Sequence, residues 1–178
     1  MRIISGKFKG YQFKTYNGSN TRPTTDLAKE GLFSAIENTL DFEGKTIIDL
    51  FAGTGNIGLE CLSRGAASLI SIDANAANIT YMKAVKAELN IDNWTIFKSD
   101  ALKYIQKTEA TADIIFADPP YNYNQIHGLS DAVTSHPDFT QRKGIFILEH
   151  TDNIILHSPL LKQKKQYGST TFSIFEAQ

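Results

Sequence analysis

Residues 47–58 read "IIDLFAGTGNIG", and the parsing of this stretch decides the fold. "TIIDLFA" is a nearly continuous apolar run, the signature of a strand covered on both faces of a parallel sheet. Gly53, Gly55 and Gly58 then satisfy G-x-G-x-x-G, and "IGLECLSRG" continues as a helix closed by Gly65. Strand, glycine turn and helix in this order make a phosphate- or nucleoside-binding crossover. The glycines alone do not say which ligand it takes.

Working outward, the alternation persists. "SLISID" reads as a second strand, and "ANITYMKAVKAELN" as a helix with Ile79, Met82, Val85 and Leu89 at helical spacing. "WTIFKSD" is a third strand and "ALKYIQKT" a short helix. "ADIIFAD" is a fourth strand, stopped by Pro119-Pro120. "IHGLSDAVTSH" is helical, "GIFILEH" is a fifth strand, and "KKQYGSTTFSIFEA" folds as a hairpin turning at Gly168-Ser169. Upstream, Thr24 or Thr25 caps a helix running to about Leu40, with Ala28, Leu32, Ala35, Ile36 and Leu40 on one face. "RIISGKFKGYQFKTY" alternates around two glycine turns as one or two short strands. Strands alternating with helices imply a mainly parallel sheet covered on both faces.

The 178 residues suit one compact domain, and no repeat or linker divides them. Cys61 is the single cysteine, so no internal disulfide is possible; its apolar helical setting implies a small buried residue in a reducing compartment. "MRIISGKFKG" has no apolar core of a signal peptide, and no segment is apolar long enough to span a bilayer, so the expected location is the cytoplasm. The net charge of −1 conceals an asymmetry. Arg2, Lys7, Lys9, Lys14 and Arg22 precede the first acid, Asp26, leaving 13 basic residues against 19 acidic ones in the remainder. A basic arm interleaved with Phe8, Tyr11 and Phe13 fits either an anionic partner or a solvated hairpin whose lysines protect an edge.

Asp49, four residues before Gly53, separates the candidate ligands. A dinucleotide brings a pyrophosphate to such a loop, and a neighbouring carboxylate opposes it. S-adenosylmethionine brings an ammonium and a sulfonium, which a carboxylate favours. One charge pair at about 4 Å is worth roughly 4 kcal/mol at an effective dielectric of about 20, enough to decide between them. Phe51 either offers its face to a cation or packs in the core. Asp73 lies 20 residues beyond Gly53, where an acid binds ribose hydroxyls, and Asp100 with Ala101 is placed to meet an adenine amino group or to cap a helix. The plain structural alternative is a turn of glycines with Asp49 as its cap.

"ADPPY", at 117–121, forms a second site. Pro119 and Pro120 fix the chain and withdraw two backbone donors, leaving carbonyls free to accept. The Asp118 carboxylate and a neighbouring carbonyl suit a planar NH2 group, whose lone pair is delocalised into its ring. Accepting both N–H hydrogens orients that amine towards an electrophilic methyl, and Tyr121 offers a flat surface to the base. The alternative is a proline-stopped strand with a structural tyrosine. His127, His136, His150 and His157 show no metal-ligand spacing with Cys61, so no metal is expected. Tyr123 is assigned to packing, and no role is assigned to Glu149 at the end of the fifth strand.

With "MRIISGKFKGYQF", "RPTTDLAKEGLFSAI", "DLFAGTGNIGLECLSRGA", "DPPY" and "KKQYGSTTFSIF" in view, the chain resembles the RsmD-type 16S rRNA (guanine-N2) methyltransferases over almost its whole length. The glycine loop and "DPPY" are shared by many amino-methyltransferases; "RIISG" together with "RPTTD" is the more specific combination. The resemblance implies a Rossmann-like class I methyltransferase: a mainly parallel seven-stranded sheet with helices on both faces, over residues 21–178. An N-terminal β-hairpin extension over 1–20 would contact RNA. It implies S-adenosyl-L-methionine as cofactor and the exocyclic amine of a guanine in small-subunit 16S rRNA, or its assembly intermediate, as acceptor. A monomer without membrane association is expected.

By position, Asp49, Phe51, Gly53 and Gly55 would line the methionine end, Asp73 the ribose, and Asp100 with Ala101 the adenine. Asp118, Pro119, Pro120 and Tyr121 would hold the base, while Arg2, Lys7, Lys9, Arg22 and Thr24 would meet the substrate. Two departures stand out: Leu27 replaces a common arginine, and Asp73 a frequent glutamate. The rival readings are a protein-glutamine amide methyltransferase, another nucleic-acid amino-methyltransferase, and a non-catalytic RNA-binding factor. The basic arm argues against the first, and the intact Asp118 and glycine loop against the last.

Overall fold

The computed structural model describes residues 1–14, 26–37, 40–141 and 143–177. Arg22 and Thr24 lie outside this set, as does the 20/21 boundary. Seven strands form one sheet: β1 (Thr46–Leu50), β2 (Ser68–Asp73), β3 (Trp94–Lys98), β4 (Ile114–Ala117), β5 (Ile145–Thr151), β6 (Leu161–Tyr167) and β7 (Thr170–Glu176). Their order is β3-β2-β1-β4-β5-β7-β6. The five strands from β3 to β5 are parallel, and the terminal hairpin adds β7 and β6 antiparallel. The seven-stranded, mainly parallel sheet is therefore as the sequence implies. Strand order reverses between β1 and β4, where open α/β sheets form their ligand crevice beyond the strands' carboxyl ends.

Alternate residues of each central strand feed two cores. Ile47, Leu69, Phe116, Ile147 and Phe172 face one side, against α1 (Asp26–Glu37), α2 (Asn56–Ser63) and α3 (Ala76–Glu88). Ile48, Leu50, Ile115, Phe146 and Leu148 face the other, against α4 (Ala101–Ile105), α5 (Ile126–Thr134) and α6 (Pro137–Gln141). Both faces are thus covered, which is why the strands read as apolar runs rather than alternating ones. In α1, Leu32 and Ile36 are buried on the expected face. Cys61 is buried in α2.

Every residue of α2 is buried. One cause is the N-terminal segment, which lies along it. Where one or two short strands were expected, residues 1–3 pair antiparallel with residues 10–13 around a bridge from Arg2 to Gln12, and the pairing goes no further. The reason is a competing acceptor: the fully buried Glu60 carboxylate takes the N–H groups of Ile4 (2.8 Å) and Ser5 (3.0 Å). Lys7 N–H donates to the Ser63 carbonyl at 2.7 Å and Phe8 N–H to Ser63 Oγ at 2.9 Å. Ile3 and Phe13 enter the core beside α1 and α2.

The charge on Glu60 is matched from within. Lys29 of α1, also fully buried, places Nζ 2.7 Å from Glu60 Oε2 and donates to Asn56 Oδ1 at 2.7 Å and the Arg2 carbonyl at 3.1 Å. Arg64 Nε closes on Glu60 Oε1 at 2.9 Å, its guanidinium 4.6 Å from the Phe33 ring centroid. Removing one partner of a buried pair strands the other charge, at a cost of about 3–5 kcal/mol. Lys29→Met should therefore lower the unfolding free energy by about 3 kcal/mol in chemical denaturation, and Lys29→Met with Glu60→Gln should recover part of it. A loss below about 1 kcal/mol would show that the pair does not anchor the segment.

Candidate active site

The carboxyl ends of β1, β2, β4 and β5 gather acidic side chains on one face. In register, Asp49 pairs with Phe116 and Ser71, so Asp118 and Asp73 each lie two residues further along the same face. Phe116 pairs with Ile147, which brings Glu149 level with Asp118. Asp100 follows β3 at the next edge.

Asp49 is only 2% exposed, and its Oδ2 accepts the Gly58 N–H of α2 at 3.1 Å. That contact explains the third glycine of the motif. A Cβ on Gly58 would come within 2.7 Å of Leu69 and 3.0 Å of Asp49 Oδ2. Gly55, at φ +79°, sits over Trp94, where a Cβ would approach Cζ2 to 2.7 Å. Gly53 has open space beside it instead, with nothing nearer than 4.0 Å to an added Cβ. Two glycines are thus demanded by packing, and the first leaves room on the ligand side. Phe51 holds φ +63°, a left-handed conformation costly for an aromatic residue, and sets its ring edge-on to Tyr123 at 5.0 Å.

Asp73 braces this loop. Its carboxylate accepts from Gly53 N (2.8 Å), Asn75 N (2.7 Å) and Asn78 Nδ2 (2.9 Å). A carboxylate has about four acceptor sites, so one remains for a ligand hydroxyl. Asp100 is the N-cap of α4, accepting Lys103 N–H at 2.9 Å, and Ala101 is buried beneath it. Capping and ligand contact draw on the two different oxygens of such a carboxylate.

Asp118, Pro119, Tyr121, Tyr123, Glu149 and Thr151 are among the residues lining one cleft. Pro119 is buried, while Tyr121 is 66% exposed, its ring accessible at the cleft. The Pro120 carbonyl accepts the Tyr123 N–H at 2.8 Å, closing a turn. Of the two proline carbonyls, the loop therefore spends that of Pro120 on itself. Two buried polar atoms have no hydrogen-bond partner among the described residues, Tyr123 Oη and Glu149 Oε2, and both residues line this cleft. Such atoms are costly unless a ligand or water meets them.

Crowding shifts the acids. Burial pushes the Asp49 carboxyl up to about 8; the Gly58 hydrogen bond opposes this, and the charges of Asp118 and Asp73 add to it. Burial, then the Asp118 charge, carries Glu149 to about 8 as well. Tyr123 is raised by burial and by Asp100.

The basic residues lie elsewhere. Arg2 is 3.7 Å from Glu30 on the flank of α1, Lys7 stands 5.2 Å from the Phe8 ring centroid, and both Lys7 and Lys9 are exposed. The segment lies along α2, with Lys7 beside Ser63 at the end of the helix away from the glycine loop. No cluster of three metal-ligating side chains occurs among the described residues, and no described helix is long and apolar enough to cross a membrane. His150 is buried against Ser173 Oγ (2.8 Å) and the Thr151 carbonyl (2.7 Å).

A doubly wound sheet, a glycine turn braced by acids after β1 and a proline-locked Asp after β4 together define a Rossmann-like methyltransferase. The solved Escherichia coli candidate methyltransferase yhhF superposes on the whole chain (98% of its own) with a TM-score of 0.86 at 25% identity. The chain belongs to the family described as "Conserved hypothetical protein 95", which matches residues 1–176. Among its relatives, the candidate rRNA methyltransferase YlbH of Bacillus subtilis (strain 168) is 32% identical, covering 99% of this chain and 98% of its own length. "Ribosomal RNA small subunit methyltransferase D" of Escherichia coli (strain K12) is 24% identical over 100% of this chain and 90% of its own.

The pH dependence of stability follows from the buried acids. Folded protein keeps the Asp49 proton up to about pH 8, whereas the unfolded chain releases it near the ordinary carboxylate value. The contribution is full below about pH 4 and is lost as pH rises towards about 8. Thermal stability of the ligand-free protein should therefore fall from pH 5 to 9, and Asp49→Asn should flatten that slope. Equal slopes in the two proteins would place Asp49 in contact with water.

Proposed function

We propose that the protein transfers a methyl group from S-adenosylmethionine to the exocyclic N2 amine of a guanine in 16S rRNA of the small ribosomal subunit. The observation that carries this reading is the placement of Asp118, fixed by two prolines, on the same sheet face as Asp49 across the β1/β4 switch point.

The residues after β1 suit a nucleoside carrying positive charge. Asp49 is buried, its charge unfavourable in the protein alone and relieved by a neighbouring cation. Gly53 leaves space, Asp73 retains one acceptor site, and Asp100 stands at the adenine end. S-adenosylmethionine supplies a sulfonium-bound methyl when it occupies this loop. Asp118 and the Pro119 carbonyl then accept the two amine hydrogens, holding the nitrogen lone pair towards the methyl carbon, and Tyr121 stacks on the base. Asp118 also stabilises the positive charge that grows on the amine as the bond forms, and it is the nearest acceptor for the departing proton.

The relatives named as rRNA methyltransferases favour RNA over a glutamine side chain. Residues 1–20 would form the RNA-contacting extension of a methyltransferase domain over 21–178. Because Ile4 and Ser5 bind the buried Glu60, deleting this segment would unfold more than an RNA contact. Charge reversal at exposed Lys7 and Lys9 is the cleaner probe: Lys7→Glu with Lys9→Glu should weaken small-subunit binding, lower its salt dependence and leave cofactor affinity unchanged. An unchanged salt dependence would remove these lysines from the interface.

The deciding experiment gives the protein labelled S-adenosylmethionine with separate small and large subunits and maps the labelled base. Label on a small-subunit guanine N2 is expected; label on protein, or on large subunits alone, would overturn the reading. Asp118→Ala should keep cofactor affinity within about threefold while transfer falls about 100-fold or more.

A further inference from the structure

Glu149 is partly buried with its Oε2 shielded from solvent, lines the same cleft, and is used by none of the steps above. We propose that Glu149 selects guanine, its carboxylate accepting the ring N1–H of the base whose N2 amine Asp118 holds. The assignment rests on the rRNA-guanine reading and deepens it.

The sheet places the two acids side by side. Ala117 pairs with Leu148 in parallel register, so the next residues, Asp118 and Glu149, leave adjacent strands at the same level and on the same face. Glu149 Oε2 is shielded from solvent and has no partner among the described residues, so it points at nothing the described protein supplies. On the far side, Glu149 pairs with Phe172 of β7, which is fully buried and offers no side-chain donor. Among the described residues nothing meets this oxygen, and the cleft that Glu149 lines is open to a donor from a ligand.

The chemistry of the bases then discriminates. Three of the four RNA bases carry an exocyclic amine. Beside the amine, adenine presents N1 and cytosine N3, both lone pairs that a carboxylate repels. Guanine alone presents a ring N–H next to its amine, giving three hydrogens along one edge. Two neighbouring acids, with the Pro119 carbonyl, match those three hydrogens. Without a base, Asp118 and Glu149 oppose one another, which accords with the high proton affinity of Glu149. A guanine edge relieves that opposition with Glu149 ionised, whereas an adenine or cytosine edge can be met only while Glu149 keeps a proton to donate, so the preference for guanine belongs to the ionised carboxylate. Asp118 alone would accept any of the three amines, so selectivity needs a second group at this position.

The test uses small ribosomal particles assembled on RNA carrying either guanine or 2-aminopurine at the mapped position. 2-Aminopurine keeps the N2 amine but replaces N1–H with a lone pair. At pH 9 the wild-type protein should methylate the guanine particles at least about 10-fold more efficiently in kcat/KM, the preference narrowing towards pH 7 as Glu149 regains a proton to give the 2-aminopurine lone pair. Glu149→Gln can turn its amide NH2 to the lone pair, so its preference should shrink to about threefold or less, with S-adenosylmethionine affinity and thermal unfolding unchanged. Glu149→Gln retaining the full wild-type preference would overturn the assignment. So would a wild-type protein indifferent to the two bases at pH 9, a result that stands even if the variant is inactive. Failure of the wild-type protein to methylate guanine particles would instead sink the rRNA reading itself.

Discussion

Three carboxyl groups, Asp49, Asp118 and Glu149, leave adjacent strands on one face of the sheet, and they cannot all be ionised there without help. This constraint governs the site. Two of the three are pushed well above the ordinary carboxylate range by burial and by one another's charge, so the protein alone holds them in an unfavourable state. A cation beside Asp49 and N–H donors beside Asp118 and Glu149 would relieve them. In the proposed reaction a positively charged methyl donor and the donor-rich edge of guanine would meet both needs, whereas a pyrophosphate would aggravate the first. Electrostatics of this kind does double service: it discriminates between ligands and it stabilises charge developing in the transition state.

The acids stay in place because α2 does. Its first turn carries the glycine loop and the Gly58 N–H that Asp49 needs, and its middle carries Glu60. Through Glu60, Lys29 and Asn56, the helix is bound to α1 and to the backbone of residues 2–5. The basic N-terminal segment is thus fastened to the element that shapes the cofactor loop. A buried ion pair is a costly way to join two helices, and an apolar pair of similar volume would often be as stable. Here its carboxylate also replaces the strand partners that Ile4 and Ser5 lack.

The legible parts of the fold were those with a period. β1 to β5 and the closing hairpin stand out because apolar runs, glycine turns and helical spacing repeat along the sequence. α6 was missed, since Pro137–Gln141 is too short to show a period even though Phe139 is buried. The N-terminal pairing is shorter than alternation predicted: backbone bonds join residues 1–3 to 10–13, and beyond them a side chain 55 residues away takes the Ser5 donor. In the site, "DPPY" and the glycine loop announced themselves through residues that restrict the backbone. Asp100 was legible as either cap or ligand, and it does cap α4. Glu149 and the Lys29–Glu60 pair carried a weaker signal, charged residues inside apolar patterns. Only tertiary register shows which charges they face.

Titration calorimetry of S-adenosylmethionine binding, run near pH 7 in buffers of differing ionisation enthalpy, tests the central claim most directly. A cation settling beside Asp49 should drive off its proton, so binding should release up to about one proton per site, and Asp49→Asn should bind more weakly with that release abolished. Binding without proton release in the wild-type protein, or NAD binding as well as S-adenosylmethionine, would contradict the account.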